Sequence, residues 1–397
     1  MPSVPRTVWA LGLVSLLMDL SSEIIHALLP LFLTTTLGVS VAIVGLIDGI
    51  AEATASISKV FSGYISDRIG RRKPLILLGY GLGALSKPLF ALAGSMPVVL
   101  GARFADRIGK GLRGAPRDAL VADVTPEAIR GRAFGLRQSL DTVGAIAGPL
   151  LAIVLMALFA NDMRRVFWIA VIPGVLAVLC VILAVKEPRD HRPRGNARPP
   201  IALADLRTLD RSFWVVVAIG VVFSLARFSE AFLILKASDE GLPLTFAPAV
   251  LIAMNIVYAL GAYPAGVLSD RYPAHMLLGS GLVALIFADL ALALWHGLFG
   301  AFTGIALWGL HMALTQGLMA KLVADRAPTE LRGSAFGLFN LASGVAMLAA
   351  SVLAGLLWDM AGARSTFLVG AGLATIAVIA LLGSIEFRKN KPPTSNA

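Results

Sequence analysis

A chain of 397 residues that is 57% hydrophobic and only 15% charged, with a mean hydropathy of +0.81, is too apolar for an ordinary soluble domain and belongs in a bilayer. Its formal charge of +10 would fit a nucleic-acid binder only if the basic residues covered a polar surface, and they sit instead in short loops between apolar runs. Cys180 is the single cysteine, so no internal disulfide forms, and the stretch around Arg6 lacks the cleavage site of a removable signal.

About 20 mostly apolar residues carry a helix across the hydrocarbon core, and twelve such segments occur. The first, near 8 to 33, contains Asp19, Glu23 and His26; helical spacing sets Glu23 about 40° and His26 about 20° from Asp19, so all three share one stripe. Carboxylates and an imidazole facing lipid would be costly, and this stripe is expected to face a water-filled cavity or polar partners. The second segment, near 41 to 65, adds Asp48 and Glu52 and runs into Gly63-x-x-x-Asp67-Arg68-x-Gly70-Arg71-Arg72. Its glycines permit a tight turn, and Asp67 can pair with a base or a helix N-terminus. The third lies near 75 to 93 with Lys87, and the fourth near 98 to 121. The fourth is unusually cationic: Arg103, Asp106 and Arg107 lie deep in it, followed by Lys110 and Arg113. The fifth, near 133 to 160, contains Gly144-x-x-x-Gly148-Pro149, a spacing that packs membrane helices closely and kinks them. The sixth spans about 166 to 185.

Prolines and charges then mark 188–211 as a linker between residues 1–187 and 212–397, each half holding six helices. The later segments lie near 213 to 235, 247 to 268, 276 to 295, 297 to 322, 335 to 358 and 367 to 385. They hold fewer charges. Arg227 and Glu230 stand three apart in the seventh, where they can pair along one helical face. Asp289, His311 and Gln316 follow, with Asn255, Tyr258 and Trp308 as further polar or aromatic candidates.

The two halves are related. Residues 122–136 align without gaps onto 324–338 at an offset of 202, and Gly63 to Arg68 recurs as Gly266 to Arg271, including Asp270, at 203. Of the basic residues in the loops, 21 fall on the side of the termini and 4 on the other, which places both termini in the cytoplasm of a multi-pass protein in the cell (inner) membrane.

Together these residues resemble the major facilitator superfamily: the Gly63 to Arg72 loop matches its most specific motif, Arg107 to Ala115 is similar to its fourth-helix motif with Lys110 in place of Gln, and Gly144 to Pro149 resembles its antiporter motif. The resemblance implies an all-α membrane protein of twelve transmembrane helices in two pseudo-symmetric six-helix bundles. It also implies secondary active transport by alternating access, with the Gly63 to Arg72 loop latching the halves on the cytoplasmic side and Asp67 facing the start of the eleventh helix near Ser334. The second loop copy lacks the Gly-Arg-Arg ending and should matter less.

The expected function is proton-coupled export of a small solute by a monomer, with Asp19, Glu23, Asp48 or Glu52 titrating and no resident cofactor or metal. Arg103, Asp106, Arg107, Arg227 and Glu230 join the coupling set. A divalent metal such as nickel or cobalt is the alternative cargo, since carboxylate and imidazole suit such ions. A membrane-embedded phosphatidyltransferase is disfavoured, because Asp48-Gly49 and Gly63-x-x-x-Asp67 depart from its signature at three places. A non-transporting sensor would be expected to carry an output domain.

Overall fold

The computed structural model describes residues 3–187, 209–326 and 332–389. The linker expected over 188–211 lies outside the described residues except for its last three.

The first bundle consists of α1 (Arg6–His26, continued by Leu29–Leu31 and a π-turn Phe32–Thr36), α2 (Val41–Ile69), α3 (Lys73–Leu92), α4 (Met96–Val124), α5 (Arg130–Leu158) and α6 (Met163–Ala184). The second consists of α7 (Arg211–Ala226, resumed as Ala231–Asp239), α8 (Ala249–Arg271), α9 (Ala274–Leu294), α10 (Gly297–Arg326), and α11 and α12, which share the run Arg332–Lys389. Among the described residues, ten helical spans are long and apolar enough to cross a membrane. One of them, Ala335–Leu382, covers 48 residues, twice a single crossing, and turns back at Gly362, where φ is 80°. α4 completes the twelve; its 29 residues suffice in length, but its charges remove it from the apolar set. Large apolar side chains such as Leu85, Leu158, Leu183 and Leu260 remain exposed, as a lipid-facing surface requires.

Two helices are not the continuous rods that hydropathy implies. Pro30 has no N–H to donate toward His26, and α1 breaks at Ala27 and Leu28 before resuming. In α7 the backbone is extended at Arg227, with φ −118° and ψ 109°. Ser229 Oγ then accepts the Ala231 N–H at 3.1 Å and starts the second piece. The helical face on which Arg227 and Glu230 were expected to pair is therefore absent. The two breaks stand at the repeat offset of 202, Ala27 matching Ser229.

The apolar core tells the two sides of the membrane apart. Near the termini it is divided: one cluster runs from Val8 to Val185 within the first bundle, and two clusters built on Phe213 and Phe223 belong to the second. On the opposite side a single cluster joins both bundles, from Ile24 and Phe32 through Phe167 to Phe232, Trp308 and Phe367. There α2 and α11 pack backbone to backbone. A Cβ added at Gly45 would overlap the Ser351 carbonyl oxygen, and one at Gly355 would lie 2.6 Å from Ala42 Cα. Such close approach is how small residues bind membrane helices, where lipid supplies no hydrophobic drive. At the rim of this seam the Asp359 carboxylate accepts the Val41 and Ala42 N–H groups at 3.0 and 2.9 Å. Among the described residues the bundles are thus sealed together on the side away from the termini, while near the termini each keeps an apolar core of its own.

Candidate functional site

A polar cavity of about 290 Å³ lies between the bundles beneath the seal, bordered by Glu23, His26, Asp48, Glu52, Arg107, Lys110, Arg227, Ser229, Glu230 and Asn255, with Ala145, Phe228 and Met347 as its apolar wall. The break in α7 opens into it through Arg227, Phe228, Ser229 and Glu230, and the first piece of α1 reaches it with its last residue, His26. Broken helices at mid-membrane are tolerated where they line a cavity, and they bring polar backbone and side chains to it.

The charged stripe of α4 supplies the opposite wall. Arg103, Asp106, Arg107 and Lys110 repeat at three- and four-residue spacing, so one helical face carries them all. Arg103, Asp106 and Arg107 are buried and paired. Arg103 Nη2 lies 3.1 Å from Asp48 Oδ1, Arg107 Nη1 lies 3.1 Å from Glu52 Oε1, and Lys87 Nζ lies 2.8 Å from Asp106 Oδ1 and 2.9 Å from Ser22 Oγ. Each base therefore meets a carboxylate on a neighbouring helix, which offsets the desolvation that burial costs. Asp48 also reaches across the bundles, because Ser229 Oγ donates to its Oδ2 at 2.7 Å. One carboxylate thus ties α4 to the break in α7.

The α1 stripe divides. His26 Nδ1 stands 3.6 Å from Glu23 Oε2 at the cavity, whereas Asp19 lies one turn away beside Asp141 on α5. Asp141 is further approached by Arg117 at 3.7 Å and Arg137 at 3.8 Å. Gly144 and Gly148 make this approach possible: Cβ atoms there would fall 2.5 Å from the Leu16 carbonyl oxygen and 2.7 Å from Glu23 Cβ. The Gly144-x-x-x-Gly148-Pro149 segment is accordingly the packing face of α5 on α1. Asp141 was not among the residues singled out from the sequence. Its spacing of three and seven from those glycines is the signal that places it on the same face.

Lys110, Arg227 and Glu230 border the cavity with no hydrogen bond or ion pair among the described residues. Asp289 and His311 are buried within the second bundle away from the cavity, and His311 Nδ1 meets the Gly281 carbonyl at 2.8 Å. Trp308 packs in the core against Phe228, and the Gln316 side chain lies outside the described residues.

In the α2–α3 loop, Gly70 adopts φ 68° and caps α2. Arg72 bonds Ser66 Oγ at 2.7 Å and Asp123 at 3.4 Å, while Glu187 takes the N–H groups of Arg72 and Lys73. These contacts lie within the first bundle. Gly63 approaches Ala115 of α4. Arg68 touches Tyr64, and Arg71 and Arg271 are exposed. The side chains of Asp67, Asp270 and Ser334, on which the expected latch rests, lie outside the described residues.

Two pseudo-symmetric bundles enclosing a charged cavity that is closed to one side define a multi-pass membrane transporter. The chain belongs to the Major Facilitator Superfamily, whose model matches residues 11–255 and 231–397. It is 31% identical over 383 residues to an uncharacterized MFS-type transporter of Methanocaldococcus jannaschii, covering 95% of this chain and 94% of the relative. It is 25% identical to the multidrug resistance protein MdtH of Proteus mirabilis, covering 82% and 80%. The fold is similar to that of the nucleoside transporter NupG, with a TM-score of 0.75 at 16% identity over 96% and 99% of the two chains.

Proposed function

We propose that the protein is a proton-coupled exporter of a small organic solute, working by alternating access as a monomer in the cell membrane, with both termini in the cytoplasm. Residues 1–187 and 212–397 are then the two moving bodies and 188–211 their linker. The described state is the one open to the cytoplasm, ready to load cargo. Export is favoured by the likeness to a multidrug resistance protein and by the Gly144 to Pro149 segment.

The observation that carries proton coupling is the contact between Asp19 and Asp141. Asp19 on α1 meets Asp141 on α5 across the Gly144 and Gly148 packing face, where Arg117 and Arg137 also approach Asp141, so a proton taken or given up by Asp19 changes the balance of charge in this seam. Asp48, Glu52 and Asp106 are held by Arg103, Arg107 and Lys87, so Asp19 is the acid best placed to exchange a proton as α1 moves against α5. A metal cargo would be taken by Glu23 and His26, which share the cavity with Asp48, Glu52 and Glu230.

Proteoliposomes with an imposed pH gradient and a fluorescent proton reporter test the proposal. Asp19→Asn should abolish solute-linked proton movement while the protein still folds and binds cargo. Full proton movement in that variant would refute the assignment.

A further inference from the structure

The charges around the cavity fall into two groups. Asp48 with Arg103 and Glu52 with Arg107 are neutralised within the first bundle. Lys110, Arg227 and Glu230 make no direct hydrogen bond or ion pair among the described residues and act on their opposite charges only across the cavity, Arg227 on Glu230 and Lys110 on Glu23 and Glu52, while the direct partner of Glu23 is His26. While the cavity is open, water solvates these groups. When the bundles close around cargo that water leaves, and a charge stranded in the dry cavity would oppose closure strongly. Closure therefore needs a cargo that brings counter-charges of both signs. A neutral lipophilic solute would displace the water between these groups and put no polar atom in its place. A simple anion would leave Glu230 uncompensated, and a simple cation would do the same to Arg227 and Lys110.

We infer that this cavity selects a small zwitterion, its acidic oxygens held by Arg227 and Lys110 and its ammonium group by Glu230 with Glu23. The inference rests on the transport reading and names its cargo class. Arg227 and Glu230 bracket the break in α7, so a ligand held by both fixes the conformation of that break. Ser229, between them, bonds Asp48 at 2.7 Å and passes the same constraint to the first bundle. Size fits the inference: at about 290 Å³ the cavity stands at the lower end of the range of about 300–1,000 Å³ for small-molecule sites, room for an amino acid or a short amino acid conjugate.

Binding is measured on the full-length protein in detergent by titration calorimetry and by thermal stabilisation, so the result does not depend on transport. The probes are 4-aminobutyrate and glycylglycine as zwitterions, with butyrate and butylamine each lacking one charged group. The zwitterions should bind at least about tenfold more tightly than either truncated probe, because a hydrogen bond to a charged group is worth that much or more. Arg227→Gln should erase the advantage of 4-aminobutyrate over butylamine, and Glu230→Gln its advantage over butyrate. Lys110→Gln, a change on the water-exposed side of α4, should lower zwitterion affinity while leaving butylamine unaffected. Equal binding of zwitterions and truncated probes, or zwitterion binding unchanged in all three variants, overturns the inference. Zwitterion preference in a protein that moves no protons in vesicles would support this inference and refute the proton-coupled reading; proton movement without that preference would do the reverse.

Discussion

Asp359 offers the sharpest test of the seal. Its carboxylate is exposed, belongs to the end of α11, and accepts two N–H groups at the start of the 29-residue α2 in the other bundle. A side-chain oxygen at a helix N-terminus contributes about 0.5–2 kcal/mol, and a negative charge there adds about 0.3–1 kcal/mol when exposed. Because these bonds exist only when the bundles meet on this side, nearly all of that energy counts toward the sealed state. Asp359→Ala should therefore shift the balance of sealed and open forms by about 1–2 kcal/mol, a factor of about 5–30. Asp359→Asn keeps an acceptor and loses the charge, so its shift should be smaller. Spin labels at Thr36 and Arg364, both exposed on this side, report the separation of the bundles once Cys180 is replaced by Ser. Growth of a long-distance population is expected in Asp359→Ala. An unchanged distance distribution in a folded variant would show that packing alone holds the seam and refute the reasoning.

Gly45→Val should open the same seam more strongly, because its Cβ would overlap the Ser351 carbonyl oxygen and overpacking costs about 1–3 kcal/mol; the same spin labels read it. Asp48→Asn should lower thermal stability in detergent by about 3–5 kcal/mol, since it leaves Arg103 buried without its charge partner, and adding Arg103→Gln should restore much of the loss. Recovery no better than that of either single variant would argue against the pair. Outside the membrane, the Lys236 ammonium and then the Gly297 N–H hold the Glu240 carboxyl below its usual range. A depressed carboxyl contributes stability above the unfolded value of about 4.3 and loses it as pH falls. Wild-type melting temperature should therefore drop more steeply than that of Glu240→Gln on acidification, and parallel curves would remove Glu240 from the account.

How much of the site was legible depended on whether a residue's partner lay on its own helix. Glu23 and His26 are three apart on α1 and meet as their spacing implies. Asp48 and Glu52 were expected among the titrating acids with Asp19 and Glu23, yet α4 brings Arg103 and Arg107 to them and leaves Asp19 with Asp141. No sequence period relates Asp48 to Arg103 or to Ser229; only helix packing does. Arg227 and Glu230 were assigned to one helical face because the hydropathy of α7 runs on without interruption, while the hydrogen bond from Ser229 to Asp48 and its cap on Ala231 accompany an extended break there. Lys110 registered as one of the fourth segment's cations and as a departure from a motif. Its place on the cavity wall gives that departure a physical meaning.

The sequence by itself determined the number of crossings, the repeat, the charged face of α4 and the family, because these follow from local hydropathy, helical period and motifs of adjacent residues. Tertiary structure alone decided which charges are neutralised and which remain free, where α1 and α7 unwind, and which side is sealed. The physical reason is that a buried charge is settled by whatever lies within a few ångströms of it. In this chain those neighbours are as far apart in sequence as Asp48 and Ser229, or Val41 and Asp359.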